Sequence, residues 1–135
     1  MLKIERSVSI EGSDQASLFQ WINNITNWKF LMPEDRIEHW EADESSCSFS
    51  IKGLASLNLG KTESADNSVQ VENSDQKPFP ILINIHIGDS NAGNNKISLL
   101  FEAKMNPFIK SMAEKPLSNF IEMLGENFKK KIEEN

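Results

Sequence analysis

The hydrophobic period of this 135-residue chain turns helical at Asn106-Pro107 and stays so to Asn135, and that change limits what it can fold into. Before it, apolar residues recur mostly at every second position, the period of half-buried strands. After it, Leu117, Phe120, Ile121, Leu124, Phe128 and Ile132 form a long stripe at helical spacing. Such a helix spans on the order of 40 Å at about 1.5 Å per residue, enough to cross a whole domain. Pro107 suits a first helical turn, where its missing N–H is no loss. Pro116 lies inside the stripe and predicts a kink or break near Met112 to Lys115.

The strands can be placed from their alternation. Leu2, Ile4, Val8 and Ile10 share one face against Lys3, Glu5, Ser7 and Ser9, with Arg6 the odd member of the apolar face. Gly12 and Ser13 end that strand, and Ser13 or Asp14 can cap the next helix. Leu18, Phe19, Trp21, Ile22 and Ile25 fit that helix, and a second short turn runs from Trp28 to Met32 before Pro33. Ile37–Ala42 and Cys47–Ile51 read as strands around an Asp43–Ser46 turn. Gly53 suggests a bulge or sharp bend. Ala55, Leu57 and Leu59 resume the alternation, Val69 and Val71 mark a weak strand, and Phe79 to Ile87 a strong one. Asp89 to Asn95 is a polar hairpin loop, and Ile97 to Met105 the last strand. The expected order is one strand, two short helices, six strands and one long helix, in a single domain covering residues 1–135.

Composition excludes several functions. Twenty acidic residues against fourteen basic ones give a net charge of -6, contrary to the basic stripe a nucleic-acid binder needs. The one cysteine, Cys47, permits no intramolecular disulfide and no multi-cysteine metal site. No window reaches the roughly 20 apolar residues of a membrane span, and no signal-peptide pattern opens the chain. The expectation is a cytoplasmic protein without integral membrane association, a monomer or weak dimer.

The stretches SVSIEGSDQASLFQWINNITNWKFLMPE and NPFIKSMAEKPLSNFIEML resemble the helix-grip proteins of the SRPBCC superfamily. That group includes START lipid-transfer domains, birch-pollen-allergen-type proteins and polyketide cyclase-like proteins. Ile10 closing a strand, Phe19 and Trp21 in the helix, and Trp28 before Pro33 carry the first likeness. The Asn106-Pro107 hinge and Lys115-Pro116-Leu117 carry the second. The resemblance implies an α+β helix-grip fold: a curved antiparallel sheet of six or seven strands around the C-terminal helix, with a cavity between them.

The implied function is sequestration or transfer of a hydrophobic or amphipathic small molecule in that cavity. On the helix, Met112, Leu117, Phe120, Ile121 and Leu124 would face the ligand. From the sheet, Phe49, Ile51, Leu57, Ile83, Leu99 and Phe101 would line it, with Trp28 beside them. The same faces also serve as an ordinary core. Arg6, in an apolar row, would hold an anionic head group; alternatively its stem covers apolar surface while the head meets water. Movement about Pro107 and Pro116 would gate entry. A polyketide cyclase-like enzyme and a cochaperone-like interaction module are the alternatives.

No residue is nominated as catalytic, and no metal or cofactor is implied. His86 and Glu102 fall on the outward face of their strands. Of His39 and Trp40 only one can point inward, and Trp40 suits the core better. Cys47 shares the face of Phe49 and Ile51 and reads as a buried, inert thiol. The acidic run from Glu34 to Glu44 reads as a solvated hairpin, and Lys129–Lys131 complements the helix C-terminus.

Overall fold

The computed structural model describes residues 1–89 and 94–134. Strand β1 (Leu2–Glu11) is followed by α1 (Gln15–Asn23) and a short 3₁₀ helix (Ile25–Phe30). Then come β2 (Ile37–Ala42), β3 (Ser46–Ile51), β4 (Ala55–Ala65), β5 (Ser68–Glu72), β6 (Ile81–Asp89) and β7 (Asn94–Ala103). The chain closes with α2 (Pro107–Glu133). The strands form one antiparallel sheet in the order β1-β7-β6-β5-β4-β3-β2, curled around α2 as the helix-grip architecture requires.

Register follows from which faces must be buried. Leu2, Ile4 and Ile10 of β1 are buried, and β1 pairs β7 from Leu2↔Ala103 to Glu11↔Asn94. A slip of one residue would turn all of them to water. Side chains set the turns. The Asp43 carboxylate accepts hydrogen bonds from Ser45 N at 2.9 Å and Ser46 N at 2.8 Å. These bonds, that of Ser45 N foremost, hold its pKa below the usual carboxylate value. Asp66 and Asn67 both have positive φ, 54° and 62°, as a primed two-residue hairpin between β4 and β5 requires. Asp14, rather than Ser13, caps α1 by accepting from Ser17 N at 2.7 Å.

Several boundaries differ from expectation. Gly53, at φ 75°, sits in the β3–β4 turn rather than inside a strand. Register shifts fall instead between Lys61 and Glu63 of β4 and between Glu38 and Glu41 of β2, where His39 adopts φ 59°. That bulge leaves His39 exposed while Trp40 packs on Phe49, ring centroids 5.6 Å apart. Strand β6 begins at Ile81, not Phe79. The buried Asn73 side chain holds the preceding loop, accepting from Ile81 N at 2.8 Å and donating to Phe79 O at 2.8 Å. Of the predicted Asp89–Asn95 loop, the ends belong to strands and residues 90–93 lie outside the described residues.

The Asn106 side chain caps α2, accepting from Ile109 N at 2.8 Å, with Pro107 in the first turn. Pro116 does not break the helix, which continues through it to Glu133. The carbonyl that loses its donor belongs to Met112, and both residues are exposed, so water can satisfy it. Ala113, Leu117, Phe120, Ile121, Leu124 and Phe128 form the buried face of α2. Gly125 gives the closest approach: a Cβ there would lie 3.1 Å from Leu99 Cδ1 and 3.4 Å from Val8 Cγ1. The first substituent can be absorbed by small side-chain shifts, and alanine also favours the helix by about 1 kcal/mol. A branched side chain cannot be absorbed. Gly125→Ala is expected to unfold in urea within about 1 kcal/mol of the parent, and Gly125→Val to lose about 1–3 kcal/mol.

Candidate functional site

The site to test is the contact between α2 and the inner face of the sheet. The structure brings the nominated residues together there with little room to spare. Trp28, Phe49, Ile51, Leu57, Ile83, Leu99 and Phe101 are each at most 7% exposed. So are Leu117, Phe120, Ile121 and Leu124 of α2, and all belong to one hydrophobic cluster. Phe49 stacks on Phe120 at 6.1 Å. The Trp28 indole donates to Ile22 O at 2.7 Å, which satisfies its one polar group inside the core.

Two nominated residues fall outside this contact. Met112 does not face the sheet: it is 65% exposed on the first turns of α2. Arg6 pairs opposite Leu99 but is exposed, its guanidinium donating to Glu5 O at 2.8 Å. Strand β1 is an edge, so the long side chain reaches water instead of the interior. It borders an open depression with Glu5, Ser7, Asn84, Lys96 and Ser98.

A cleft of about 30 Å³ lies where α2 crosses the end of β3, lined by Ile51, Pro116, Phe120 and Met123. Arg36, Lys52 and Asn119 complete it. Its volume is about that of one water molecule. Its charged lining is unusual. The register Ile37↔Ile51 puts Arg36 and Lys52 next to each other beyond the paired ends of β2 and β3, and Lys52 N donates to Arg36 O at 2.8 Å. Like charges opposite each other destabilise a sheet. The exposed Asp35, 4.0 Å from Arg36 Nε, offsets little of this.

Sequence reasoning missed Arg36, Lys52 and Asn119, and left Met123 to fit either a cavity or a core. Nothing in the pattern pointed to the first two: counting outward from the Asp43–Ser46 turn would set Arg36 opposite Gly53, and only the shift between Glu38 and Glu41 of β2 brings it opposite Lys52. Asn119 and Met123 are a helical turn apart, a spacing that does not separate cleft from surface.

Elsewhere the chemistry is subdued. His86 is exposed, its Nδ1 2.7 Å from Ser68 Oγ. Glu102 lies half-buried on the outer face, in a depression shared with Glu72 and Lys104. Among the described residues no group of three or more His, Cys, Asp or Glu side chains could hold a metal ion. Also among them, no helix is long and apolar enough to cross a membrane.

No protein-family model matches the sequence, and no curated protein matches it. Solved structures do match the fold. The chain is similar to the KanY protein at 14% identity and TM-score 0.79, over 98% of this chain and 97% of that one. It is similar to norcoclaurine synthase from Thalictrum flavum, solved with dopamine and hydroxybenzaldehyde. That match has 13% identity and TM-score 0.73, over 99% of this chain and 87% of that one. A START superfamily protein from Mycobacterium smegmatis matches at 12% identity and TM-score 0.68, over 98% and 97% of the two chains. The START-like helix-grip fold expected from the sequence is therefore the fold of this chain.

Cys47 is 3% exposed. Burial foremost, then the nearby Asp43 charge, pushes its thiol from 9.0 up to about 12. The folded state thus keeps a proton that the unfolded chain gives up. Below pH 9 both states hold it and the difference is nil. Between about pH 9 and 12 stability falls, by up to about 1.4 kcal/mol per pH unit. The sequence has no tyrosine to titrate in that window. Urea unfolding from pH 8 to 11 is expected to show a shallower decline for Cys47→Ala than for the parent.

Proposed function

We propose that this protein binds and carries an amphipathic small molecule with an apolar body and an anionic head. The observation that carries this reading is the cleft between α2 and the end of β3, apolar inside with Arg36 and Lys52 beside it. Apolar burial would supply affinity, and the two cations would fix which end of the ligand points outward. Among the cleft's lining residues there is no carboxylate and no histidine, which favours carriage over acid–base chemistry. The START-like fold supports a ligand-binding or cyclase-like role at the coarser level.

A cleft of about 30 Å³ admits a ligand only if α2 moves. Its first turns are suited to that. Phe108 and Met112 make little contact with the core, and Pro116 leaves no backbone hydrogen bond to Met112 for the motion to break. In this reading the motion hinges at the Lys104–Asn106 connection and draws Pro116, the one cleft-lining residue of these turns, away from Ile51 and Phe120.

The test is displacement of anilinonaphthalene sulfonate by a long-chain fatty acid and by the alcohol of equal length, with native mass spectrometry for a co-purified ligand. Saturable binding of the acid, about tenfold or more tighter than the alcohol, is expected, since a charge-assisted hydrogen bond is worth about 1.5–3 kcal/mol. Arg36→Glu with Lys52→Glu is expected to abolish that preference. Equal binding of acid and alcohol would remove the anionic-head assignment. No binding of either, with no co-purified molecule, would overturn the carrier reading.

A further inference from the structure

We propose that the outward face of the first three turns of α2 docks on an anionic lipid bilayer. This rests on the carrier reading for its purpose, but its geometry is independent of the cleft's occupancy. Phe108 is 74% exposed, Met112 65% and Ile109 37%. With Pro116, which is also exposed, they form a second apolar stripe on the helix. At about 100° per residue, Phe108, Met112 and Pro116 follow one another at four-residue intervals, with Ile109 beside them. Ala113 and Leu117, buried against the core, lie on a different side. The stripe is therefore not a core face that lost its partner. It runs into the cleft through Pro116, which lines both.

Charge selects the occupant. The chain carries -6 overall, yet residues 104–115 contain Lys104, Lys110 and Lys115 against Glu114 alone. Lys115 stands three residues from Met112, next to the stripe, whereas Lys110 and Glu114 each lie about 200° around the helix from Met112 and face each other at a four-residue spacing. At the far end of the stripe, Arg36 and Lys52 flank the cleft. Glu34 and Asp35 line the neighbouring depression, and Asp35 lies 4.0 Å from Arg36 Nε, which leaves Lys52 and Lys115 as the cations without an acidic neighbour in sequence on the stripe side. An exposed apolar strip with Lys115 along it and Arg36 and Lys52 at its end suits the boundary between headgroups and acyl chains of an anionic membrane. A second copy of this chain suits it less, because a two-fold contact on this face would bring the same cations together.

The experiment is flotation of the full chain with phosphatidylcholine vesicles and with vesicles that also contain phosphatidylserine. Binding to the serine-containing vesicles is expected, weakening as salt is raised, with little binding to the neutral ones. Phe108→Ser with Ile109→Ser is expected to lower the partition about tenfold. Lys115→Glu is expected to lower it by a similar factor on anionic vesicles only. These side chains are exposed, so the variants should unfold in urea like the parent. Equal binding to both vesicle types, or partition unchanged by the variants, would overturn the proposal. So would a dimer in sedimentation equilibrium that Phe108→Ser dissolves. Fatty-acid binding without flotation would overturn docking and leave the carrier reading standing; flotation without fatty-acid binding would do the reverse.

Discussion

The dry contact between α2 and the inner face of the sheet organises the rest of the molecule. Gly125 brings the helix backbone so near Leu99 and Val8 that a side chain there would have to displace them. From that point the other contacts follow. Leu117, Phe120, Ile121 and Leu124 reach the sheet, and Phe128 stacks with Trp21 of α1 at 5.3 Å. The Asn127 amide donates to Leu31 O at 2.8 Å and ties the helix to the segment after the 3₁₀ turn. Strand β1, an edge with α2 packed across it, needs this contact to bury Ile4 and Ile10.

The same contact divides α2 into two parts with different duties. C-terminal to Leu117 the helix belongs to the core and its position is fixed by close packing. N-terminal to Pro116 it projects apolar side chains into water. A fold selected for stability alone would not keep Phe108 and Met112 exposed beside an interior proline. Their placement makes sense if this end of the helix exchanges partners, and it adjoins the cleft through Pro116.

How much of this was legible depends on which physical signal each feature carries. Strand and helix order follow from hydrophobic period, and the change at Asn106-Pro107 was visible because period 2 and period 3.6 are incompatible. Inner and outer faces were legible for the same reason, down to His86 outward and Cys47 inward. Arg6 shows the limit. Alternation gives a direction for Cβ, not the destination of a long side chain on an edge strand. Met112 shows another: helical period places it near a face, but whether the first turn of a helix reaches the sheet depends on where the preceding strand ends. The bulge at His39 and the buried Asn73 have no periodic signature, because each is a local solution to a backbone hydrogen-bonding problem. The Arg36 and Lys52 pair became visible only with the β2–β3 register.

The closed cleft also sets a lower bound on what could be carried. Lifting the first three turns of α2 would uncover Ala113 and weaken the burial of Leu117, both 1% exposed. Exposing one leucine side chain costs about 1.5–3 kcal/mol, and alanine adds a fraction of that. A ligand recovers about 0.8 kcal/mol for each methylene it buries. About four buried methylenes are therefore needed merely to offset the opening, before the cations add anything. Short carboxylates such as acetate cannot meet that requirement, whereas medium and long acyl chains can. On the proposed carrier reading, the tightness of the interior would keep small polar metabolites out and make apolar length a condition of entry.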